Sequence, residues 1–244
     1  MSPHARTVLV TGASSGIGLA CARAFLECGD RVVAQYLTQV SPVEELVAEF
    51  GARVLAVQAD LSKEDGCVAT VEAAAAPQVL VHSAGIWNEG PIHELDGDRL
   101  EAMYRTNTFS AYFLARETAR VMARGSMVFI GSTAGQRGEP GHSHYAGSKA
   151  ALWGLVQSLA QELAPAMRVN LVSPGWVRTP MAEPALAEAG REERVCAGVP
   201  LARIAESGDV AAAVVFLCDD RHARHLTGID LPISGGALLP MPRG

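Results

Sequence analysis

Several features that would point to a particular class of protein are missing from this sequence. The five cysteines are an odd number without C-x-x-C spacing, so neither a disulfide framework nor a zinc site is expected. No block of lysines and arginines occurs, and the net charge of −6 argues against nucleic acid or an anionic membrane surface as the main partner. The longest apolar run, from Val210 to Cys218, is too short to span a bilayer.

The length and composition fit one folded unit. A chain of 244 residues with 49% hydrophobic and 19% charged residues is ordinary for a soluble globular protein and can bury a substantial core. No linker, internal repeat or low-complexity tract divides it, so we predict a single domain over residues 1–244. The N-terminus leads into a short strand without a signal-peptide apolar region, and unpaired cysteines suit a reducing cytosol, so a cytoplasmic protein is expected.

Short β-branched runs alternate with segments of helical composition. This alternation predicts parallel βαβ units and therefore an α/β fold with a Rossmann-type, doubly wound parallel sheet, whose ligand site lies at the carboxyl ends of the strands. The predicted strands cover residues 7–11, 31–35, 53–59, 78–82, 126–131, 167–173 and 226–233. The predicted helices include residues 17–27, 42–50, 98–123, 150–163 and 206–218.

A glycine-rich loop, T-G-A-S-S-G-I-G at Thr11 to Gly18, joins the first strand to the first helix. A pyrophosphate there would meet the free N–H groups and the dipole of the helix N-terminus, and glycine lets the backbone approach the phosphate. A plain glycine turn is the alternative, but the position at the first strand–helix junction favours dinucleotide binding. The expected cofactor contacts here are Gly12, Ser14, Ser15, Gly16, Ile17 and Gly18.

The end of the second strand is where an acidic residue would bind the adenosine ribose of NAD. Gln35, Tyr36, Leu37 and Thr38 occupy this place, so no carboxylate repels the 2′-phosphate of NADP and no arginine holds it. We take Tyr36 as the residue at the cofactor-choice position and favour NADP over NAD. Asp60, at the end of the third strand, either accepts a hydrogen bond from an adenine amino group or caps the following helix.

The stretch from Ser132 to Lys149 carries the strongest indication of chemistry. Tyr145 and Lys149 lie four residues apart at the start of a predicted helix, so the ammonium can approach the phenol. A nearby cation lowers the pKa of a phenol, which would let Tyr145 exchange a proton near neutral pH. Ser132, at the end of a strand, could place a second hydroxyl beside it. Two converging hydroxyls suit a carbonyl oxygen that gains or loses a proton, although a tyrosine and a lysine one turn apart also occur as plain surface pairs.

Other segments surround this stretch. Asn107, in the helix 98–123, either bonds back to its own helix or faces the sheet and orients Lys149. The segment 181–204 lacks clear periodicity and is interpreted as a mobile lid over the site. The helix 150–163 is apolar nearly all round, which predicts an oligomer contact. The residues expected to line the substrate pocket flank the catalytic loop or the strand tips, and are Trp87, His142, Trp176 and Met181.

With these residues identified, nearly the whole chain resembles the short-chain dehydrogenase/reductase family. The matching motifs, in the family's order, are T-G-x-x-x-G-x-G at Thr11 to Gly18, Asp60, the Ala84-Gly85 tip, Asn107, Ser132, Tyr145-x-x-x-Lys149, Pro174-Gly175 and Thr179. Several motifs in the correct order are far more specific than any one of them. The resemblance implies a single doubly wound domain of about seven parallel strands that usually assembles as a homotetramer.

The resemblance also implies roles for individual residues. Tyr145 would be the general acid/base, Ser132 would orient the substrate and the phenol, Lys149 would bind the ribose and lower the pKa of the phenol, and Asn107 would support a proton-relay water. Thr179 and the backbone near Val177 would hold the nicotinamide carboxamide. Further cofactor contacts are implied at Asp60, Leu61, Ser83, Ala84, Gly85, Pro174 and Gly175.

The implied activity is an NAD(P)-dependent interconversion of a carbonyl and a secondary alcohol, with no metal. The chain resembles 3-oxoacyl-acyl-carrier-protein reductases, so a 3-oxoacyl thioester substrate and an acyl-carrier protein partner are one interpretation; a dehydrogenase of a small, sugar-like or cyclic alcohol is another. A dinucleotide-binding regulatory protein without turnover is a third. The chain departs from the family's Asn-Asn-Ala-Gly at His82-Ser83-Ala84-Gly85, where His82 is expected to be a packed, hydrogen-bonded core residue.

Overall fold

The strands form where β-branched and other apolar residues alternate between two buried faces. The computed structural model describes residues 5–240. In the first strand Val8 and Val10 belong to one core and Leu9 to the other, and all three are fully buried. The strands within these residues are β1 (Thr7–Thr11), β2 (Arg31–Tyr36), β3 (Val54–Gln58), β4 (Val79–His82), β5 (Gly125–Ile130), β6 (Met167–Pro174), β7 (Val177–Arg178), β8 (Ala205–Glu206) and β9 (Asp230–Ile233).

Seven of these strands form one parallel sheet in the order β3-β2-β1-β4-β5-β6-β9, while β7 and β8 make a separate parallel pair. The order of the strands reverses between β1 and β4, because β2 and β3 lie on one side and the later strands on the other. Such a reversal opens a crevice at the carboxyl ends of the strands. The predicted α/β fold with a doubly wound, seven-stranded parallel sheet is confirmed.

Helices cover both faces of this sheet and bury one apolar core on each. One core includes Phe25 and Val214, and the other includes Leu114 and Leu152, all fully buried. The helices within residues 5–240 are α1 (Gly16–Glu27), α2 (Ser41–Phe50), α3 (Glu64–Ala74), α4 (Gly97–Tyr104), α5 (Ser110–Val121), α6 (Thr133–Arg137), α7 (Ser143–Glu162), α8 (Glu183–Leu186), α9 (Arg191–Ala197) and α10 (Ser207–Leu217). Short 3-10 turns cover Gly51–Arg53 and Ile92–Glu94.

Several elements differ from the sequence prediction. The single helix predicted over 98–123 is two helices, α4 and α5, joined by a π-helical turn at Arg105–Phe109. The last strand begins at Asp230 rather than 226, because Gly228 and Thr227 bond to Val169 in a turn before it. Short helices form within 181–204, where the lack of periodicity indicated none.

The outer side of α7 is more polar than the sequence suggests. Its exposed residues include Gln157, Ser158, Gln161 and Glu162, and the apolar Leu155 and Val156 are buried in the core. The predicted oligomer contact through this helix therefore stays a prediction. In the span from residue 5 to residue 240 no helix combines the length and apolarity needed to cross a membrane.

Candidate active site

A cavity of about 880 Å³ opens at the carboxyl ends of the strands, beside the reversal between β1 and β4. This volume is typical of a site for a small molecule or cofactor. Most of the predicted cofactor residues line it, namely Gly12, Ser14, Ser15, Gly16, Ile17, Asp60, Leu61, Ser83, Ala84, Gly85, Tyr145, Lys149, Pro174, Gly175, Val177 and Thr179. Ser132, Trp87, Trp176 and Met181 line it as well, whereas Gly18, Tyr36, Asn107 and His142 do not.

The glycine loop has a conformation that side chains would disrupt. Gly12 and Gly16 have φ angles of +64° and +48°, and a Cβ on Gly12 would lie 3.0 Å from the backbone of Ala84. A Cβ on Gly18 would lie 2.2 Å from the carbonyl oxygen of Gly12, so Gly18 serves the packing of the loop rather than the cavity wall. The loop leads into α1 through Ser15, whose side chain makes no capping hydrogen bond. The N-terminus of α1 thus opens on the cavity, as an anion site requires.

Gln35 holds this loop in place, a role that was not predicted from the sequence. Its Oε1 accepts a hydrogen bond from the Gly12 N–H at 2.9 Å, and its Nε2 donates to the Ala59 carbonyl at 2.8 Å. Gln35 is 2% exposed, so both bonds are shielded from water. The amide therefore ties the end of β2 to the glycine loop and to the segment after β3. A buried glutamine in an otherwise apolar strand is the sequence signal that could have identified it.

At the end of β2 the structure brings different residues to the cavity from the one predicted. Tyr36 packs against the apolar core, because neighbouring strand residues face opposite sides of the sheet. Leu37, Thr38 and Gln39 line the cavity instead. Asp60 Oδ1 accepts hydrogen bonds from Ser62 N at 3.0 Å and Ser62 Oγ at 2.7 Å, so it caps the turn before α3 while also lining the cavity.

His82 joins two parts of the site through a fully buried chain of hydrogen bonds. The Ser110 hydroxyl donates to the Thr106 carbonyl at 2.6 Å, so it accepts from His82 Nε2 at 3.1 Å. His82 Nδ1 then accepts from the Thr11 hydroxyl at 2.9 Å, whose oxygen also accepts the N–H groups of Ser83 and Ala84. Burial and the charge of Lys149 lower the pKa of His82 to about 3, so the ring is neutral. The expectation of a packed, hydrogen-bonded histidine is confirmed.

Asn107 lies at the centre of the π-helical turn and bonds outside its own helix. Its Oδ1 accepts from the Ile86 N–H at 2.8 Å, and its Nδ2 donates to the Ile86 carbonyl at 2.9 Å and to Ser148 Oγ at 3.0 Å. The wider π turn is a feature often found at functional sites. Asn107 therefore holds the segment after Gly85 and the residue next to Lys149, and the back-bonding alternative does not apply.

Ser132 and Tyr145 line the same cavity as close neighbours. Ser132 is the N-cap of α6, and its Oγ accepts from the Ala134 N–H at 3.1 Å, which leaves the hydroxyl hydrogen free to donate. We expected Lys149 to lower the pKa of Tyr145. Instead burial raises this pKa, a hydrogen bond with Ser132 lowers it, and the charge of Glu139 raises it, with a net increase. The sequence argument considered charge alone, whereas burial dominates in the folded protein.

Lys149 is buried next to the strand tip that carries Gly85. Its Nζ donates to the Ile130 carbonyl at 2.9 Å, and a Cβ on Gly85 would lie 3.3 Å from Nζ and 3.1 Å from Asn107 Oδ1. A side chain at this position would force Asn107 or Lys149 to shift by a few tenths of an ångström. Burial lowers the pKa of Lys149 to about 8. At neutral pH Lys149 is thus a charged ammonium at the cavity wall, although burial has removed most of the water that would solvate it.

Aromatic rings form the opposite end of the cavity. Trp87 is stacked on His142 with ring centroids 4.8 Å apart, and its ring meets Trp176 edge to face at 6.1 Å. The Arg191 guanidinium lies 5.5 Å from the centroid of the Trp176 ring. His142 therefore supports the wall from behind rather than lining it, while Met181 lines it and is 46% exposed.

Comparison with known proteins agrees with this geometry. A family model described as "Enoyl-(Acyl carrier protein) reductase" matches residues 12–237. The chain is 35% identical to L-rhamnose 1-dehydrogenase (NAD(P)(+)) of Azotobacter vinelandii over 95% of this chain and 96% of that protein. It is 31% identical to 3-oxoacyl-[acyl-carrier-protein] reductase of a Synechocystis species over 96% and 98% of the two chains.

A solved structure shows the same architecture. The short-chain dehydrogenase/reductase described as glucose/ribitol dehydrogenase, from Brucella melitensis, superposes with a TM-score of 0.91 at 30% identity and covers 96% of this chain and 97% of that one. The chain belongs to the short-chain dehydrogenase/reductase family. Short-chain dehydrogenases/reductases are oxidoreductases that act on CH–OH groups with NAD(P), and this protein is one of them.

The residues present fit the nicotinamide dinucleotide that the short-chain dehydrogenase/reductase family uses. A Cβ on Gly16 would lie 3.0 Å from the methyl group of Thr179, so the glycine loop and the segment after β6 form a narrow cradle for an extended ligand. The helix N-terminus at Ser15 suits the pyrophosphate, and the buried Lys149 lines the catalytic end of the cavity. Glu139 also lines the cavity, although no motif in the sequence predicted it as a site residue.

Proposed function

We propose that Tyr145 is the general acid/base in a hydride transfer between NADP and the carbon of a small carbonyl or secondary alcohol. The observation that supports this most is that the Ser132 hydroxyl and the Tyr145 phenol face one cavity, which continues to the glycine loop. Two hydroxyl donors aimed at one point suit a substrate oxygen that becomes an alkoxide during reduction.

The proton chemistry follows from the pKa values. Because burial raises the pKa of Tyr145, the phenol keeps its proton at neutral pH and can donate it to the substrate oxygen during reduction. Ser132 donates a hydrogen bond to the same oxygen and fixes its position. Lys149 contributes a positive charge below its pKa of about 8, and Asn107 holds the loop and helix on either side of it. When bound, the nicotinamide supplies or accepts the hydride.

The preference for NADP rests on the residues at the end of β2. Leu37, Thr38 and Gln39, which line the cavity there, carry no carboxylate that would repel a 2′-phosphate. Asp60, which also lines the cavity, is already engaged with Ser62. We propose that Thr38 and the backbone beside it receive the adenosine ribose, and that the segment 181–204 acts as a lid that closes on the substrate.

The proposal includes association of the protein with copies of itself. Large apolar side chains on α4, on α5 and in the π turn, including Leu100, Phe109 and Tyr112, are 42–47% exposed and would suit a contact between copies in a tetramer or dimer. An acidic acyl-carrier protein would need exposed cations on its partner, but Arg168 bonds to the Leu217 carbonyl and to Asp220. These bonds leave the Arg168 guanidinium less able to bind an acidic partner.

The protein is proposed to work in the cytoplasm.

The test separates an enzyme from a dinucleotide-binding protein without turnover. NADPH and NADH are titrated against the purified protein by fluorescence, and the loss of reduced nicotinamide is then followed over a panel of ketones, aldoses and 3-oxoacyl thioesters. The proposal expects tighter NADPH binding and turnover of at least one carbonyl. Binding of either cofactor without turnover on the whole panel would favour the regulatory alternative, and tighter NADH binding would reverse the cofactor preference.

A further inference from the structure

The loop between α6 and α7 brings a carboxylate into the cavity beside the catalytic phenol. Glu139 is half-buried, lines the cavity and acts electrostatically on Tyr145, so the two side chains border the same space. Within residues 5–240, no cation lies at ion-pair distance from this carboxylate and no side chain or backbone N–H donates to it. A carboxylate in such a place has up to four lone-pair positions to offer to a ligand.

The position of Glu139 is fixed by the same turn that supports the aromatic wall. Its carbonyl oxygen accepts from the His142 N–H at 3.1 Å, and His142 Nδ1 lies 3.0 Å from the Pro140 carbonyl. The Gly90 N–H donates to the Gly141 carbonyl at 2.8 Å, which ties the turn to the segment after Trp87. His142 stacks on Trp87 with an interplanar angle of 8°. The backbone of Glu139 and the Trp87 ring are therefore tied to the same turn before any substrate binds, which reduces the entropy lost on binding.

The walls around Glu139 fit a compact molecule that carries hydroxyl groups. The rings of Trp87 and Trp176 meet at 77° and form a corner of rigid apolar surface. Arg137 also lines the cavity, and its guanidinium donates to the Ala237 carbonyl at 3.3 Å, so residues that carry donors and an acceptor both border the substrate space. A hydroxyl group donates and accepts, and can satisfy both kinds of partner. An acyl chain would leave the carboxylate without a hydrogen-bond donor, which is unfavourable.

We propose that Glu139 determines specificity for a ring-shaped polyol or sugar, accepting a hydrogen bond from a hydroxyl next to the reacting carbon while Trp87 and Trp176 pack against the ring. This inference rests on the proposed function, because it assumes that Tyr145 accepts the proton of the substrate hydroxyl group that is oxidised. It assigns Glu139 to recognition and not to proton transfer.

The test compares substrates that differ by one hydroxyl. Oxidation of trans-1,2-cyclohexanediol, cyclohexanol and L-rhamnose, and reduction of acetoacetyl-CoA, are measured as kcat/KM for the wild type, Glu139→Gln and Glu139→Ala. A hydrogen bond to a charged acceptor predicts that the wild type favours the diol over cyclohexanol by about tenfold to a hundredfold. Glu139→Ala should bring this ratio close to one, and Glu139→Gln should keep part of it.

A second readout distinguishes recognition from a general structural effect. Removing the negative charge should lower the pKa of Tyr145, so the rise of kcat/KM with pH during cyclohexanol oxidation should move to lower pH in Glu139→Gln. Glu72→Gln, on the exposed side of α3, is the matched control and should change neither the ratio nor the pH profile.

Three results would overturn the proposal: an unchanged diol-to-cyclohexanol ratio in Glu139→Ala, a wild-type preference for the thioester, or no turnover of any ring polyol. Failure of the proposed function is seen separately, because in that case Tyr145→Phe would keep the turnover that the wild type shows on its best substrate.

Discussion

A buried ammonium with one carbonyl acceptor is an unfavourable arrangement, and Lys149 has this arrangement at the wall of the site. Its pKa falls from an ordinary value of 10.5 to about 8, so the folded state binds its proton more weakly than the unfolded state does. This difference corresponds to a destabilisation on the order of 3 kcal/mol, which is fully present below pH 8 and disappears above the unfolded pKa. The residue is therefore retained at the expense of stability, as is common at active sites.

Lys149→Met should make the protein more stable and less active. The substitution removes the buried charge and keeps most of the volume, and it loses one hydrogen bond to Ile130, so we expect a net gain of about 1–2 kcal/mol at pH 7. Urea unfolding at pH 7 and pH 10 measures the gain, which should shrink at the higher pH. Turnover should fall steeply.

Lys63→Met is the control for this prediction, because Lys63 is exposed and should give a change within about 0.5 kcal/mol. A loss of stability at pH 7 in Lys149→Met would show that the buried charge is not costly.

Gln35→Glu should damage the cofactor end of the site without touching the catalytic residues. The carboxylate can still accept from the Gly12 N–H, but it cannot donate to the Ala59 carbonyl and adds a buried charge. We expect a loss of about 1–3 kcal/mol in the free energy of unfolding and weaker cofactor binding. Urea unfolding and cofactor titration measure both.

Gln157→Glu, on the exposed side of α7, is the control, because it makes the same chemical change at a site in contact with water. Equal stability and equal cofactor affinity in Gln35→Glu and Gln157→Glu would contradict the bridging role of Gln35.

Site residues could be predicted from the sequence where regular strand ends and helix faces determine what a side chain contacts. Spacing alone predicted that Tyr145, Lys149 and Ser132 would come together, because strand ends and helix faces are regular. The direction of the pKa shift of Tyr145 was wrong, since burial is a property of the folded chain. Glu139 belongs to no motif, and only the folded loop shows what it faces. For Gln35 the sequence offers a polar residue in an apolar strand, but its two bonding partners are known only from the structure.

At the scale of elements, a side chain has no room at Gly18 in the first turn of α1, whereas there is room for one at Gly154 in the middle of α7. In Gly18→Ala the new Cβ would lie 2.2 Å from the Gly12 carbonyl oxygen, so the glycine loop must shift. We expect a loss of about 1–3 kcal/mol or more and much weaker cofactor binding. Thermal unfolding with and without NADPH measures this, and the stabilisation that the cofactor gives should be reduced.

Gly154→Ala is the comparison within a helix. No atom lies within 4 Å of its added Cβ, and alanine favours the helix, so a gain of about 0.4–1 kcal/mol is expected. If Gly18→Ala kept wild-type stability and cofactor binding, close packing of the loop would not be the reason for glycine at this position.

The elements also show where sequence patterns stop being informative. Strands and long helices followed from the alternation of apolar residues, but the π-helical turn at Arg105–Phe109 has no composition of its own. It arises because Asn107 bonds to Ile86 and Ser148, which are distant in sequence. The helices α8 and α9 were not predicted either. The four-residue α8 is too short to show a helical period, and α9 has no buried residue but carries Glu192, which pairs with Arg178 at 2.7 Å.

At the scale of the whole molecule, one parallel sheet places all parts of the site at one edge. The glycine loop follows β1, the tip with Gly85 follows β4, Ser132 follows β5 and Pro174 ends β6, so the carboxyl ends of four neighbouring strands surround the cavity. This arrangement could be predicted from the order of motifs along the chain. The substrate end could not, because it is built from loops whose contacts no spacing rule describes.

The central claim is that Tyr145 transfers the proton, and Tyr145→Phe tests it most directly. The measurement is kcat on the best carbonyl substrate together with the dissociation constant for NADPH. The account predicts that kcat falls by about 10²–10⁴-fold, while NADPH binding changes by no more than about threefold, because the ring is kept and only the hydroxyl is lost. A variant that retains full turnover, with cofactor binding intact, would contradict the account.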